Sequence, residues 1–299
     1  MSDAVRSSVK VAIVGAGEMG AAVARRLRDG GARVAMTLKG RSAASVERVR
    51  EMSLEVVDDD DAFIRDAGFI VSIVPPGQAA AVAERLHPAL GRARTKPIFV
   101  ECNAVSPATV RRIADRLATT GCKFIDAGII GGPPRAGDTA TGPRFYASGP
   151  DAKNLIELRA YGLDVQLVNG ALGAASALKL SYAGLTKGVI ALGAAMIGGA
   201  TRDGVASALR DELARSQPQL LAYLAPRISA MFPKAYRWIA EMEQIAQFLD
   251  GDETGAGIYN GAAQFYSGVA RQYQSDGPAC ALVTILTAFF AAANRRVVN

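Results

Sequence analysis

A glycine pattern near the N-terminus is the first feature that could do chemistry. Gly15, Gly17 and Gly20 have the spacing G-x-G-x-x-G and follow the apolar run Val11–Val14. A buried strand, a glycine turn and a helix in this order are typical of a turn that binds a dinucleotide. Glycine lets the backbone approach the pyrophosphate, and the helix N-terminus offers free N–H groups. We therefore predict that a dinucleotide binds at Gly15, Ala16, Gly17, Glu18, Met19 and Gly20.

The turn after the second predicted strand, Arg33–Thr37, indicates which dinucleotide binds. A fold that binds NAD usually carries an acid here, which holds the ribose 2′-hydroxyl. Residues 30–46 include no acid, and the turn instead carries two cations and a hydroxyl suited to a 2′-phosphate: Lys39, Arg41 and Ser42. The sequence thus predicts NADP and disfavours NAD, with solvated surface cations as the alternative interpretation.

Strands and helices alternate as far as residue 169, and this alternation predicts a mostly parallel, doubly wound sheet of the Rossmann type. Ligands of such sheets bind beyond the carboxyl ends of the strands. This rule places Val74-Pro75, Glu101–Asn103 and Asp126–Gly132 at the site. The segment from Gly128 to Pro134 is rich in glycine and proline, so we expect it to be irregular and to offer backbone N–H groups to an anion.

The composition changes after Gly170, where an alanine-rich helical pattern runs from about Leu172 to Gly198 and no convincing strand follows. The predicted fold class is therefore an α/β domain with a doubly wound sheet, joined by a long helix to an all-α C-terminal domain. We place the dinucleotide-binding domain at residues 1–169 and a helical substrate and dimerisation domain at residues 170–299.

Composition and charge exclude several classes of function. The net charge of +6 suits an anionic cofactor, whereas the basic pairs on amphipathic helices lack the aromatic platform of a nucleic-acid site. One histidine and three cysteines form no metal-ligand spacing, so we expect no metal. No signal peptide is visible, and the apolar run Gly188–Ala200 is shorter than a bilayer span. We expect a cytoplasmic protein that binds neither nucleic acid nor membrane.

Four blocks resemble the β-hydroxyacid dehydrogenase family, which includes hydroxyisobutyrate and phosphogluconate dehydrogenases. The first block is the glycine turn. The second, Glu101–Pro107, resembles the family's D-x-S-T-x-x-P, and the third, Asp126–Gly132, resembles its D-A-P-V-S-G-G substrate segment. The fourth, Gly173–Lys179, is similar to the G-x-G-x-x-x-K segment that carries the catalytic lysine. The C-terminal third looks like a phosphogluconate-dehydrogenase-like helical domain.

The resemblance implies roles for particular residues. Lys179 would be the catalytic residue, Val74, Pro75 and Asn103 would contact the cofactor, and the substrate would meet Asn103, Gly131, Gly132 and Tyr182. On a helix, Lys179, Tyr182, Ala183 and Thr186 share one face. The family's serine, threonine and asparagine are replaced at Ile130, Ala104 and Ala183, so the departures affect the substrate side.

These observations predict an NADP-dependent oxidoreductase that acts on a small, anionic hydroxy- or oxo-acid-like substrate, with Lys179 as general acid and base. A non-catalytic NADPH-binding protein is one alternative. An imine-reducing relative, in which Tyr182 matters more than Lys179, is the other. The apolar segments Gly188–Ala200 and Leu282–Phe290 also predict a homodimer built on the C-terminal helices.

Overall fold

The computed structural model describes residues 8–39, 42–52, 54–137 and 142–294. Their contacts divide the chain into two compact units, Met1–Leu180 and Ser181–Asn299, here named the sheet unit and the helical unit. We predicted the helical domain to begin at residue 170, where the last strand has ended. In the structure the first turns of the long helix group with the sheet unit.

The sheet unit is built on one eight-stranded sheet, with the strand order β3-β2-β1-β4-β5-β6-β7-β8. All neighbouring strands are parallel except β6 and β7, which are antiparallel. This architecture confirms the predicted doubly wound, mostly parallel sheet. The strands are β1 (Lys10–Val14), β2 (Arg33–Met36), β3 (Glu55–Val56), β4 (Phe69–Ser72), β5 (Ile98–Glu101), β6 (Phe124–Ile130), β7 (Arg144–Ser148) and β8 (Asp164–Leu167).

Helices cover both faces of the sheet, so the central strands are apolar on both sides. In β1, Val11 and Ile13 belong to one buried cluster and Ala12 and Val14 to the other. The helices are α1 (Glu18–Asp29), α2 (Ala43–Glu51), α3 (Asp60–Ile64), α4 (Ala79–Arg92) and α5 (Pro107–Ala118), and a 3₁₀ helix spans Ala152–Tyr161.

Strand β6 differs from the prediction at its end. We expected an irregular segment from Gly128 onward, but β6 continues to Ile130. The reason is tertiary: residues 128–130 pair with residues 144–146 of the antiparallel strand β7. The glycine content of this segment did not reveal the pairing, because the partner strand lies beyond the loop.

The long helix α6 (Ala174–Arg202) begins in the sheet unit and continues into the helical unit. The helical unit then contains α7 (Ala206–Ser216), α8 (Pro218–Met231), α9 (Ala235–Phe248), α10 (Glu253–Asp276) and α11 (Ala281–Asn294). Its core includes Tyr266, against which Trp238 packs edge to face with ring centroids 5.2 Å apart.

The length of α6 corrects one expectation. The apolar run Gly188–Ala200 is part of a 29-residue helix, which by length and composition is able to cross a membrane. A core helix passes the same test, and 39% of the most apolar window is buried within the protein. A single such helix is therefore weak evidence for a membrane span.

Candidate active site

The glycine turn connects β1 to α1, and packing explains two of its three glycines. Gly15 has φ +136°, and a Cβ there would lie 1.9 Å from the carbonyl oxygen of Ile73. A Cβ on Gly20 would lie 2.0 Å from the carbonyl oxygen of Gly15. Both positions thus need glycine because the protein's own backbone passes close by.

Gly17 differs, because none of the described residues requires a glycine there. Its φ of −70° suits any residue. A Cβ on Gly17 would meet no atom of the described part of the chain within 4 Å. Gly17 is exposed and precedes the first residue of α1, where backbone N–H groups face outward. The open space over Gly17 at a helix N-terminus fits the pyrophosphate of a dinucleotide.

The turn after β2 holds part of the predicted phosphate site. Ser42 caps α2, since its Oγ accepts a hydrogen bond from the amide of Ser45 at 3.4 Å. Lys39 is exposed in the same turn, whereas Arg41 lies outside the described residues. Sequence reasoning missed Asp58, whose Oδ1 accepts from the amide of Leu38 at 3.3 Å. This acid follows β3, and only the pairing of β3 with β2 brings it to the turn.

Asn103 joins the ends of β4 and β5. Its Oδ1 accepts from the amide of Val74 at 2.6 Å, and its Nδ2 donates to Ser72 Oγ at 3.0 Å. The side chain is buried, so in this structure it shapes the Val74–Pro75 turn. Its predicted contacts with cofactor and substrate remain predictions.

A buried acid lies beneath this turn. Glu101 is fully buried, and its Oε1 accepts from the amide of Asn103 at 3.0 Å. The pKa of Glu101 is raised to about 8, mainly by burial and also by the neighbouring Asp126, while hydrogen bonds from Asn103 and Ser72 oppose the shift. The side chain is thus a neutral carboxylic acid at pH 7. Its Oε2 has no hydrogen-bond partner among the described residues.

Lys179 lies against β6. Its Nζ donates a hydrogen bond to the carbonyl oxygen of Ile129 at 2.9 Å. The helix approaches the strand closely at Gly128, where a Cβ would lie 2.7 Å from the carbonyl oxygen of Ala175 and 3.0 Å from Lys179 Cβ. Strands β1, β4, β5 and β6 are neighbours in the sheet and run parallel. The glycine turn, Asn103 and the Lys179 contact therefore lie at the carboxyl ends of these strands.

The predicted substrate residues are in different surroundings. Gly131 has φ +123°, which favours glycine, and both Gly131 and Gly132 are exposed beyond β6. Ile130 is half-buried beside them. Tyr182 belongs to the helical unit and is 52% exposed, and its contact with substrate remains a prediction.

Two sequence families match the chain. Residues 10–154 match the NAD binding domain of 6-phosphogluconate dehydrogenase. Residues 200–269 match a domain of unknown function. The first match contains the glycine turn, Asn103 and the β6 segment, and the second lies within the helical unit.

Two curated proteins are similar in sequence. An uncharacterised 28.5 kDa protein of Methanothermus fervidus is 24% identical over 242 residues, which cover 81% of this chain and 91% of that protein. The 3-hydroxyisobutyrate dehydrogenase of Pseudomonas aeruginosa is 28% identical over 146 residues. The latter match covers 47% of this chain and 46% of the enzyme, so it spans about half of each.

Solved structures share the fold over most of the chain. A conserved protein of unknown function, described as structurally similar to 3-hydroxyacid dehydrogenases, is 28% identical with a TM-score of 0.67 and covers 88% of this chain and 98% of its own. Mycobacterium tuberculosis 3-hydroxyisobutyrate dehydrogenase with L-serine is 17% identical, with a TM-score of 0.69 and coverage of 94% and 99%. An imine reductase from Myxococcus stipitatus with NADP⁺ is also 17% identical, with a TM-score of 0.52 and coverage of 94% and 99%.

The resemblance predicted from the four blocks is confirmed. The chain carries the nucleotide-binding domain of the 6-phosphogluconate dehydrogenase type, and its fold is that of the 3-hydroxyacid dehydrogenases. The nucleotide-binding domain and the relatives with matching sequence make it an NAD(P)-dependent oxidoreductase.

Proposed function

We propose that this protein uses NADP to interconvert a small anionic hydroxy compound and its oxo form, with Lys179 as the general acid and base. The observation that carries the proposal is the hydrogen bond from Lys179 Nζ to the Ile129 carbonyl. This contact holds a side chain that we expect to exchange a proton at the carboxyl ends of the strands, where the dinucleotide is expected to bind.

The bound nicotinamide supplies or accepts the hydride. In oxidation, neutral Lys179 accepts the hydroxyl proton as the C–H bond gives up its hydride. In reduction, charged Lys179 donates a proton to the carbonyl oxygen. Asn103 would hold the reacting oxygen, and the amides of Gly131 and Gly132 would bind the anionic end of the substrate.

The preference for NADP rests on charge. The exposed Lys39 and the hydroxyl of Ser42 at the start of α2 favour a 2′-phosphate. Asp58 opposes it, because a carboxylate at the same turn repels phosphate and is able to bind the 2′-hydroxyl of NAD. We infer that the cations, together with Arg41, outweigh this single acid.

The remaining parts of the proposal concern partners and location. The class of enzyme supports a small-molecule substrate, and the apolar side chains left exposed on α6 in the helical unit support a homodimer. We propose the cytoplasm as the place where the enzyme works.

The test is hydride transfer by wild type and Lys179→Met. Absorbance at the nicotinamide band is followed with NADP and a panel of small hydroxy acids, and with NADPH and the matching oxo acids and cyclic imines. We expect Lys179→Met to lower turnover at least ~100-fold, the usual contribution of positioned acid–base catalysis, with NADPH affinity unchanged.

Other outcomes point elsewhere. Wild-type turnover in Lys179→Met would move the proton transfer to another group, with Tyr182 as the next candidate. Turnover of imines alone would favour the imine-reducing alternative, whose fold this chain shares. Tight NADPH binding with no turnover across the panel would favour a non-catalytic NADPH-binding protein.

A further inference from the structure

A row of buried polar side chains crosses the sheet beneath the site. Ser72, Glu101, Asp126 and Ser148 are register partners on the four neighbouring strands β4, β5, β6 and β7. All four are fully buried. Burial of polar groups is costly unless they are hydrogen-bonded, so such a row needs a structural or functional reason.

Asp126 is the member of this row that contacts the lysine helix. Its Oδ1 accepts from Ser176 Oγ at 2.5 Å, and its Oδ2 accepts from the Ser176 amide at 3.0 Å. Ser148 Oγ donates to the same Oδ2 at 2.8 Å and accepts from the Ala175 amide at 3.0 Å. The carboxyl group therefore receives three hydrogen bonds, two of them from the first turn of α6.

These contacts replace the cap that α6 lacks locally. The residue before the helix is Gly173, with φ +105° and no side chain. The amides of Ala175 and Ser176 would have no partner within the helix, and β7 and β6 supply it. The cap thus comes from the sheet, and it fixes the helix to the strands at one point along its axis.

The charge distribution favours the same role. Asp126 lies close enough to Glu101 to be one of the causes that raise the pKa of Glu101. A negative charge at the N-terminus of α6 is stabilised by the helix dipole.

The same strand also holds Lys179. Ile129 lies three residues after Asp126 on β6, and Lys179 lies about one turn after Ser176 on α6. The carbonyl of Ile129 accepts a hydrogen bond from Lys179 Nζ. Between them, Gly128 lets the helix backbone lie directly on the strand. Strand β6 thus fixes the first turn of α6 and the end of the lysine side chain at the same time.

We propose that Asp126 is the positioning residue for Lys179: it caps α6 from within the sheet and so keeps Lys179 Nζ at the Ile129 carbonyl. The inference rests on the proposed function for its catalytic meaning only. If the cap is lost, the first turn of α6 opens, Lys179 leaves the carbonyl, and its amine becomes accessible.

The experiment measures the chemical reactivity of individual lysines. Wild type and Asp126→Asn are treated with trace acetic anhydride at several pH values, and acetylation of Lys179 is compared by mass spectrometry with acetylation of Lys187 in the same molecules. Because Asp126→Asn removes one of the two oxygens that accept these hydrogen bonds, we expect it to raise the Lys179 rate about tenfold or more, with Lys187 unchanged.

The matched control is Asp252→Asn. Asp252 caps α10 in the helical unit, where its Oδ1 accepts from the Gly255 amide at 3.0 Å and from Thr254 Oγ1 at 2.6 Å. This control loses a carboxylate cap of the same kind, so it is expected to lower stability without changing Lys179 reactivity.

Ser176→Ala is the second variant if Asp126→Asn does not fold, because it removes only the hydroxyl donor. We expect a smaller rise in Lys179 acetylation in the same direction. Wild-type Lys179 reactivity in a folded Asp126→Asn or, failing that, in Ser176→Ala overturns the proposal, and so does an equal rise in Asp252→Asn.

Turnover separates this proposal from the proposed function. With a substrate in hand, Asp126→Asn should lower kcat and leave the KM for NADPH unchanged. Raised Lys179 reactivity with wild-type turnover would retain Asp126 as the positioning residue and reject Lys179 as the catalytic one.

Discussion

Helix α6 carries two lysines that are held in contrasting ways. Lys179, in the sheet unit, donates to a neutral backbone carbonyl of β6. Lys187, in the helical unit, forms an ion pair with Glu241 of α9 and lies 5.4 Å from the centre of the Trp238 ring. The Lys187 backbone carbonyl also accepts from the Tyr266 hydroxyl at 2.6 Å.

The comparison indicates that the surroundings, and not the residue type, decide what a half-buried lysine does. The Lys187 and Glu241 side chains are only 20% and 11% exposed, so a proton lost from Lys187 would leave a buried carboxylate without its cation. A lysine held by a carbonyl oxygen leaves no such charge behind. Lys187 is thus suited to holding helices together, and Lys179 to the proton exchange that we propose.

The buried glutamates of the two units have different partners, since Glu101 accepts from the Asn103 amide and Glu241 pairs with Lys187. A pH series on Glu101 gives the largest expected effect. Glu101 has a pKa raised by burial from 4.5 to about 8, so its contribution to stability is fully present below pH 4.5 and is lost as the pH rises through 8. In this window we expect the free energy of unfolding of wild type to fall by up to about 1.4 kcal/mol per pH unit relative to Glu101→Gln. Urea unfolding from pH 5 to pH 9 measures both slopes. Parallel curves would mean that Glu101 is not held neutral.

Breaking the ion pair between Lys187 and Glu241 in the helical unit should have the next largest effect on stability. Lys187→Met leaves the Glu241 carboxylate buried without its cation, and we expect the free energy of unfolding to fall by about 3 kcal/mol. The double variant Lys187→Met/Glu241→Leu should recover most of the loss, because it removes both charges. Lys179→Met should cost much less stability in the same urea titrations. Equal losses at the two lysines would abolish the contrast between them.

The preference for NADPH over NADH tests whether the charges of Lys39 and Asp58 in the sheet unit act on the bound cofactor. Lys39→Ala should weaken NADPH binding by about 1.5 kcal/mol and leave NADH binding unchanged, since it removes a charged contact to the 2′-phosphate. Asp58→Asn should strengthen NADPH binding, because it removes the opposing charge. Fluorescence titration with both cofactors measures these changes. Equal affinity of wild type for NADPH and NADH would end the proposal of NADP preference.

In the helical unit, apolar side chains are exposed on α6. Their substitution has the smallest expected effect on the stability of a single protomer. Leu185, Leu192 and Met196 are 70%, 64% and 57% exposed and recur at helical spacing. We expect Leu185→Glu/Leu192→Glu to convert a homodimer into a monomer, while the stability of the protomer changes by less than ~0.5 kcal/mol per site. Light scattering at micromolar concentration reads this out, and a monomeric wild type would contradict the dimer.

Local signals in the sequence were sufficient for much of the sheet unit. Helix α1 ends at its capping residue Gly30, α2 begins after its capping residue Ser42, and α5 begins with Ser106 as cap directly before Pro107, so these helix ends depend on neighbouring residues. The glycine turn was readable because its strand, its glycines and the start of its helix follow one another directly in the chain.

Tertiary structure alone decided the rest, because the partners are far apart in sequence. Asp58 reaches Leu38 across 20 residues, Lys179 reaches Ile129 across 50, and Lys187 reaches Glu241 across 54. The sequence by itself determined which segments become strands and helices, since hydrophobic period and capping act over a few residues. The strand register brings Asp126 to the start of α6, and helix packing brings Glu241 to Lys187. Those are long-range contacts, and no local pattern encodes them.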